Sequence, residues 1–270
     1  MKSILLHIHK DEGQEARYQA ATDIVRAFGG HLICLQATPF ETFVFGDPFG
    51  GVYALPAIIS QIREEEREER EAIEKRLSHA GINWDWRSYD GPAAKALVDQ
   101  SRLADLIVVS HVPATSKKLD MWPPIAADVA IHARAPVLAV PARTESFACD
   151  GKAVIAWNGS FEAAQAVRSS LPLLKRASSV ALVTIAEHAL DHPPTDAGAY
   201  LARHGVDSEL FSQPANGNSI ADALRAAIAA QSGDYLVMGA YGHSRVREKI
   251  LGGVTQDLLS DCPVPVLLAH

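Results

Sequence analysis

The chain has 270 residues, 48% of them apolar and 21% charged, so it can bury the cores of two domains. Its formal charge of −7 and pI near 5.9 give it no general attraction for nucleic acids or anionic lipids. The three cysteines form no Cys-x-x-Cys pair, so we expect neither a disulfide framework nor a zinc site. Without a signal peptide or an apolar run near the ~20 residues of a bilayer span, we expect a cytoplasmic protein with a small-molecule ligand.

The first half alternates short apolar runs with longer segments of helical period. His7 and His9 alternate on the first strand, so both should face one side of the sheet. We favour a structural or pocket-lining role for them over a metal site. The charged run that begins at Arg63 predicts a solvated helix with internally paired charges, which ends before Gly81.

Aromatic residues gather in two places of an otherwise aromatic-poor chain. Segment 40–53 combines aromatic residues with glycines, and we expect it to cover the sheet edge, the other half or a second subunit. Simple local packing is the alternative. Trp84 and Trp86 lie in or beside a short strand, which indicates core or interface positions.

The second half repeats the first. The run that begins at Ala104 matches the run that begins at Gly233, and the strand from Pro136 matches the strand from Pro265 in the same ungapped register. A register that holds over roughly forty residues indicates an internal duplication. The connection over 142–150 has the composition of a linker. Asp105 and Asp234 are equivalent residues before a strand, which indicates a structural role at the strand entry.

Strands and helices alternate regularly in the second half. Strands are predicted over 153–157, 180–185, 207–211, 235–238 and 264–269, and helices over 161–175, 196–204, 219–231 and 254–260. Continuous apolar strands separated by helices are typical of a parallel sheet covered on both faces. We therefore predict an α/β protein of two repeated doubly wound domains, residues 1–142 and 151–270. Each is an open, mostly parallel five-stranded sheet with helices on both faces.

The loop after the strand at 235–238 is the strongest candidate site, because open α/β sheets bind ligands at the carboxyl ends of their strands. Gly239 and Gly242 permit positive φ and a close approach of the backbone to a ligand. Gly252 and Gly253 precede a helix whose free N–H groups favour an anion such as phosphate. A plain βα turn is the alternative. The other candidate binding residues are His243, Ser244, Arg245, Val254 and Thr255.

These residues give the chain a resemblance to the universal stress protein family in its tandem two-domain type. That family's signature is Gly, two residues, Gly, nine residues, Gly and then Ser or Thr, followed by a strand of the Pro-Val-Leu type. The second half matches at Gly239, Gly242 and Gly252 and again at Pro265-Val266-Leu267. Gly253 departs from the pattern, since it stands where the family prefers Ser or Thr.

The resemblance implies a Rossmann-like fold, similar to that of the adenine nucleotide alpha hydrolases. It further implies that the glycine loop binds ATP together with Mg²⁺. It also implies a contact on the adenine side from the end of the first strand. Asn158 stands there in place of the family's acidic residue, and the Asn158-Gly159 pair is also a strong turn former, so both roles stay open. The family pairs its domains through the last strand, so Val137–Val140 and Val266–Ala269 should pair. Further homodimerisation is in keeping with this type.

The first half lacks the glycine loop. In the ungapped register its glycines are replaced by Ser110, Pro113, Pro123 and Pro124. Because proline has no N–H to offer a phosphate, we expect no cradle of this kind in the first half.

The leading hypothesis is a stress-response protein that binds an adenine nucleotide, ATP first, in its C-terminal domain. Such a protein would have a signalling or protective role and not a metabolic one. The alternative is an interaction or regulatory protein of the same fold without nucleotide affinity, which the residues at Asn158 and Gly253 permit. A slow ATPase ranks third, because no nucleophile or base constellation is evident, and we assign no catalytic or metal-binding residue.

Overall fold

The computed structural model describes residues 1–39, 55–111, 125–185, 190–215, 217–241 and 253–270, with the backbone alone described for 55–58. In these residues ten strands form one sheet in the order β3-β2-β1-β4-β5-β10-β9-β6-β7-β8. The strands are β1 (Ser3–Ile8), β2 (His31–Thr38), β3 (Asn83–Asp90), β4 (Leu106–Ser110), β5 (Val137–Val140), β6 (Lys152–Ala156), β7 (Ser179–Ile185), β8 (Glu209–Gln213), β9 (Tyr235–Gly239) and β10 (Val266–Ala269).

Helices cover both faces of the sheet. Those in the described residues are α1 (Gln14–Phe28), α2 (Leu55–His79), α3 (Ala93–Gln100), α4 (Ile125–His132), α5 (Phe161–Leu174), α6 (Pro194–Arg203), α7 (Ile220–Gln231) and α8 (Val254–Asp261). Buried residues of α1, α2, α5 and α6 pack on one face, and those of α3, α4, α7 and α8 pack on the other. None of the described helices is both long and apolar enough to cross a membrane.

The two halves have the same topology. All strand pairs within a half are parallel, and the strand order reverses between β1 and β4 in the first half and between β6 and β9 in the second. Such a reversal is the topological switch point of a doubly wound sheet. The predicted α/β class and its five-stranded repeat are confirmed, whereas the boundaries at 142 and 151 stay a prediction.

The last strands of the two halves join them into one sheet. β5 and β10 pair antiparallel, with Leu138 opposite Leu267 and Val137 opposite Leu268. The pairing that the family resemblance implies is therefore confirmed. Leu138 and Leu267 belong to one buried cluster and Val137 and Leu268 to the other, so the core continues across this seam on both faces of the sheet.

The connection between the halves is packed rather than free. Phe147 is 4% exposed, and its ring centroid lies 5.5 Å from that of Tyr235. The backbone N–H of Phe147 donates to Asp23 Oδ2 at 3.0 Å, which ties the connection to α1. Cys149 is also buried. The predicted linker is thus part of the core, because its apolar residues cover the same sheet face as the neighbouring helices.

The charged helix is confirmed as α2, and Gly81 follows it with a φ of +66°. Its charges pair along the helix, as the sequence predicts: Arg67 contacts Glu64 at 2.5 Å and Glu71 at 2.6 Å. The expectation of a merely solvated helix is too simple, since Glu69 accepts hydrogen bonds from two core-facing side chains. These donors are Gln14 Nε2 at 2.6 Å and Gln36 Nε2 at 2.9 Å.

The remaining sequence expectations concern isolated side chains. His7 and His9 stack with ring centroids 5.9 Å apart, and burial holds the pKa of His7 well below its ordinary value. Trp84 and Trp86 pack partly buried against the core. The three cysteines are buried free thiols, and the described residues contain no group of three side chains able to hold a metal ion. Segment 40–53 lies outside the described residues.

Candidate functional site

A cavity of about 400 Å³ opens at the carboxyl edge of the second-half sheet, beside the switch point between β6 and β9. Strands β6, β7 and β9 form its walls together with the first turns of α7 and α8. The lining residues are Ala156, Trp157, Asn158, Val183, Ile185, Ile220, Leu224, Met238, Gly239, Tyr241, Gly253, Val254 and Thr255.

Half of the predicted binding residues line this cavity. Asn158, Gly239, Gly253, Val254 and Thr255 come from three separate segments, and the fold brings them to one place. The other candidates, Gly242, His243, Ser244, Arg245 and Gly252, lie outside the described residues. The structure therefore assembles a cavity from those predicted residues that it describes.

The amino end of α8 is open toward the cavity. Gly253 is its N-cap residue, and no side chain among the described residues caps the helix. Val254 and Thr255 follow in the first turn, and Thr255 is 8% exposed. The first backbone N–H groups of a helix have no partner within the helix, and with the helix dipole they favour an anion.

Gly253 has a backbone that glycine adopts almost alone, with φ 127° and ψ −178°. A Cβ added at this position would meet no atom of the described residues within 4 Å. Conformation rather than lack of space therefore favours glycine. The departure from the family's Ser or Thr has a local backbone reason in this chain.

The positive φ predicted for Gly239 is wrong, whereas its close approach to a ligand stays a prediction. Gly239 is the last residue of β9, pairs in register with Ala269, and is not among the glycines of positive φ. A Cβ on Gly239 would lie 2.5 Å from the backbone N of Ala163 and 2.6 Å from the carbonyl carbon of Glu162. Glycine at this position lets the first turn of α5 pack on the strand.

The first half makes the same strand-to-helix contact, but its glycine precedes the helix and does not end the strand. Ser110 replaces Gly239 at the end of β4, and Gly13 precedes α1, where an added Cβ would collide with the Ser110 hydroxyl. That hydroxyl accepts a hydrogen bond from Arg17 Nη1 at 2.6 Å. Arg17 is fully buried and also donates from Nε to the carbonyl oxygen of His7 at 2.7 Å. The Arg17 guanidinium thus lies at the carboxyl edge of the first-half sheet, beside Ser110.

The structure shows one of the two roles left open for Asn158. Its Oδ1 accepts a hydrogen bond from the backbone N–H of Ser160 at 3.1 Å, and Gly159 follows with a φ of +75°. Asn158 is therefore a turn former, as the Asn-Gly pair predicts. Its side chain is exposed and also lines the cavity, so the contact to a ligand stays a prediction.

The sequence did not identify the apolar walls of the cavity. Val183 and Ile185 alternate at the end of β7 and line the cavity together with Leu224 of α7 and Met238 of β9. They resemble ordinary core residues in the sequence. The signal that could have found them is their position, since they are the last inward-facing residues of strands beside the glycine loop.

Tyr241 is a second residue that the sequence did not identify. It has a φ of +59°, which is uncommon for a residue other than glycine. Burial raises the pKa of Tyr241 to about 12, and its buried hydroxyl oxygen has no hydrogen-bond partner among the residues that the structure describes. Its left-handed backbone turns the chain out of β9 at the mouth of the cavity.

A doubly wound sheet with a cavity at its switch point defines a Rossmann-like α/β protein, the class in which this edge is the usual ligand site. Residues 216–270 match the model of the universal stress protein family. This segment contains α7, β9, α8 and β10, and the predicted resemblance is confirmed. A search of curated proteins found no match.

Solved structures with the same fold extend over the whole chain. A universal stress protein from Archaeoglobus fulgidus DSM 4304 is 16% identical, with a TM-score of 0.76 and coverage of 99% of this chain and 96% of its own. A protein of Pseudomonas aeruginosa UCBPP-PA14 described as a universal stress protein is 15% identical, with a TM-score of 0.62 and coverage of 99% and 92%. A universal stress protein solved in complex with cAMP covers 52% of this chain and 97% of its own, with 22% identity and a TM-score of 0.34. The two full-length matches show that the complete two-unit fold is shared.

Proposed function

We propose that the cavity of the second half binds an adenine nucleotide, ATP first, and that the chain acts in a stress response by signalling or protection. We further propose that 1–142 is a domain without a nucleotide loop and that 151–270 is the nucleotide-binding domain. The main support is that Asn158, Gly239 and the residues 253–255, chosen from the sequence, line one cavity at the switch point.

The walls of the cavity suit a nucleobase at one end. Val183, Ile185, Leu224 and Met238 present apolar surface on which a planar base would pack. Ile220 is 45% exposed at the start of α7, and it would lose water contact against the base or the ribose. Asn158 also lines the cavity, and its amide can donate to a ring nitrogen or a ribose oxygen.

The other end of the cavity suits a phosphate. The first turn of α8, which no described side chain caps, offers backbone N–H groups from Val254 and Thr255, and the Thr255 side chain adds a hydroxyl donor. The described lining residues include no carboxylate. Mg²⁺ would therefore be held by phosphate oxygens and water, which is its usual mode of binding with nucleotides.

Binding rather than turnover has the better support. The described lining contains neither a carboxylate nor an imidazole, so no side chain there is placed to activate water at neutral pH. The slow ATPase stays a third possibility, tested by steady-state phosphate release. The second candidate function is that of an interaction protein without nucleotide affinity. The nucleotide-binding measurement distinguishes it from the first.

The direct test is calorimetric titration of nucleotide-stripped protein with ATP, ADP and AMP, each with and without Mg²⁺. We expect ATP to bind and the affinity to fall as phosphates are removed. If none of the three nucleotides binds at millimolar concentration, the chain is instead an interaction protein without nucleotide affinity. A first-turn variant adds a sharper test, because proline is tolerated at the first position of a helix and removes one N–H.

Val254→Pro should therefore weaken ATP binding about tenfold and leave α8 folded, at roughly 1.4 kcal/mol per tenfold in affinity. Val254→Ala is the matched control, since it shortens the same side chain and keeps the N–H. If both variants weaken ATP equally, the side chain and not the helix terminus contacts the nucleotide. If neither does, the phosphates lie elsewhere.

We also propose a cytoplasmic location and a homodimer of the whole chain. Because β5 and β10 already pair with each other, a homodimer would have to use another surface. The two outermost strands of the sheet, β3 and β8, are the candidate surfaces for such contacts. Sedimentation equilibrium with and without ATP measures the assembly directly, and a monomer under both conditions would remove this part of the proposal.

A further inference from the structure

A second cavity, of about 310 Å³, lies on the opposite face of the second-half sheet, between α5 and α6. Trp157 is the one described residue that lines both cavities. We propose that this second cavity is a binding site for a small aromatic zwitterion of the kind represented by a free aromatic amino acid. The site is independent of the nucleotide, because the two cavities lie on different faces and share only Trp157 among their described linings.

Small residues create the space between the two helices. Ala164 of α5 and Ala197 of α6 both line the cavity, where larger side chains would fill it. Phe161, one turn before Ala164, is 71% exposed although its ring borders an apolar cavity. An exposed phenylalanine ring keeps a large apolar surface in water, and a ligand ring inserted into the cavity would cover it.

Aromatic side chains supply the walls. Trp157 is 7% exposed, and its indole Nε1 donates to the carbonyl oxygen of His192 at 2.9 Å, so its ring has a fixed orientation. Tyr200 stands on α6 with its ring centroid 4.5 Å from that of His204. With Phe161, these rings line one cavity in a chain that is only 7% aromatic. Offset or edge-to-face contacts with such walls favour a planar aromatic ligand.

Two opposite charges line the same cavity. Arg168 stands on α5 and Asp196 in the first turn of α6, and neither forms an ion pair with another described residue. An exposed guanidinium is suited to a carboxylate, and an exposed carboxylate to an ammonium group. A ligand with both groups pairs with both side chains, whereas an aromatic acid leaves Asp196 and an aromatic amine leaves Arg168 without a ligand partner.

The test uses three related probes in calorimetry of the full chain with saturating ATP present. L-Phenylalanine carries both charges, 3-phenylpropanoate lacks the ammonium group, and phenethylamine lacks the carboxylate. We expect L-phenylalanine to bind about tenfold more tightly than either analogue, and L-alanine to show no binding. Equal affinity for L-phenylalanine and either analogue, binding of L-alanine, or no binding of L-phenylalanine at millimolar concentration would each overturn the proposal.

Exposed charge variants locate the ligand without disturbing the core. Arg168→Gln and Asp196→Asn should each weaken L-phenylalanine about tenfold, whereas Asp196→Asn should not weaken 3-phenylpropanoate. Ala164→Leu fills the cavity and should abolish binding of L-phenylalanine while ATP affinity and the unfolding midpoint are retained. Unchanged affinity for L-phenylalanine in all three variants would place the ligand elsewhere and overturn the assignment. Failure of ATP to bind would leave this test intact, because the cavity between α5 and α6 does not depend on the nucleotide.

Discussion

The carboxylate of Asp234 accepts a hydrogen bond from the backbone N–H of Lys152 at 2.7 Å, and its own N–H donates to the carbonyl oxygen of Lys152 at 2.8 Å. Asp105 makes the same two contacts with Ser3, at 3.1 Å and 2.8 Å. Asp234 thus connects the starts of β6 and β9, and Asp105 connects the starts of β1 and β4. The structural role predicted from the repetition of these residues is confirmed, at the edge opposite the cavity.

Replacing Asp234 by alanine should lower the free energy of unfolding by about 1 kcal/mol, because an exposed strand end loses one hydrogen-bond acceptor. Urea denaturation measures the loss, and Asp105→Ala is the matched control in the other half. ATP affinity should stay unchanged in both variants. A loss of ATP binding at unchanged stability would assign Asp234 to the ligand site instead.

The seam between the halves should be a major source of stability. Leu267 is fully buried and lies opposite Leu138 in the antiparallel pair of β10 and β5. Leu267→Ala should cost about 2–5 kcal/mol, since it removes buried methyl groups and leaves a cavity. Because the core is continuous across the seam, we expect one unfolding transition by both circular dichroism and tryptophan fluorescence. Two resolved transitions would show that the halves unfold independently.

The packed connection gives a third prediction. Phe147→Ala should cost about 3–5 kcal/mol, because the ring is buried against Tyr235. Glu145 lies two residues before Phe147, and its side chain is exposed. Glu145→Ala should therefore change the free energy of unfolding by less than about 0.5 kcal/mol. Equal midpoints in a denaturant titration of the two variants would show that the connection does not belong to the core.

Gly253 allows a test of backbone conformation. Both Gly253→Ala and Gly253→Ser should destabilise the protein by about 1–3 kcal/mol, because a φ of 127° with an extended ψ is strained for any residue with a Cβ. Thermal unfolding of the two variants is the measurement. A stabilised Gly253→Ser would mean that the family's hydroxyl at this position outweighs the strain, and that α8 starts differently in the variant.

The buried His111 makes stability depend on pH. Burial lowers the pKa of His111 from 6.5 to about 4, against a smaller opposing effect of the Asp261 carboxylate. The unfolded chain therefore binds the proton first as the pH falls, and stability is lost between about pH 6.5 and pH 4, at up to ~1.4 kcal/mol per pH unit. Burial also lowers the pKa of His7, which contributes in the same direction.

Replacing His111 by leucine removes this titration. The variant should lose less stability than the original chain between pH 7.5 and pH 5, as measured by urea denaturation at each pH (about 2 kcal/mol less). His7 would account for part of the remaining slope. An identical pH dependence in the two proteins would show that His111 accepts a proton in the folded state with an ordinary pKa.

The sequence by itself determined the elements and their order. Apolar runs of four to eight residues, separated by amphipathic segments and ended by Gly or Asp, allow few arrangements other than a parallel sheet between helices. For example, the strand predicted over 235–238 is observed as β9, and the helix predicted over 219–231 begins after Ser219, whose hydroxyl accepts from the Asp222 N–H at 3.0 Å. These features depend on local periodicity and capping, which neighbouring residues decide.

Only the tertiary structure decided what depends on residues distant in the chain. The sequence marked Gly239 for a ligand, but the backbone of α5 at Glu162 and Ala163 is what requires a glycine there. It also gave no sign that Val183, Leu224 and Met238 share one cavity, or that Ala164 and Ala197 leave another open. Periodicity assigns a residue to a face of its own strand or helix. Which faces meet, and whether a gap remains between them, depends on how side-chain volumes from separate segments fill the same space.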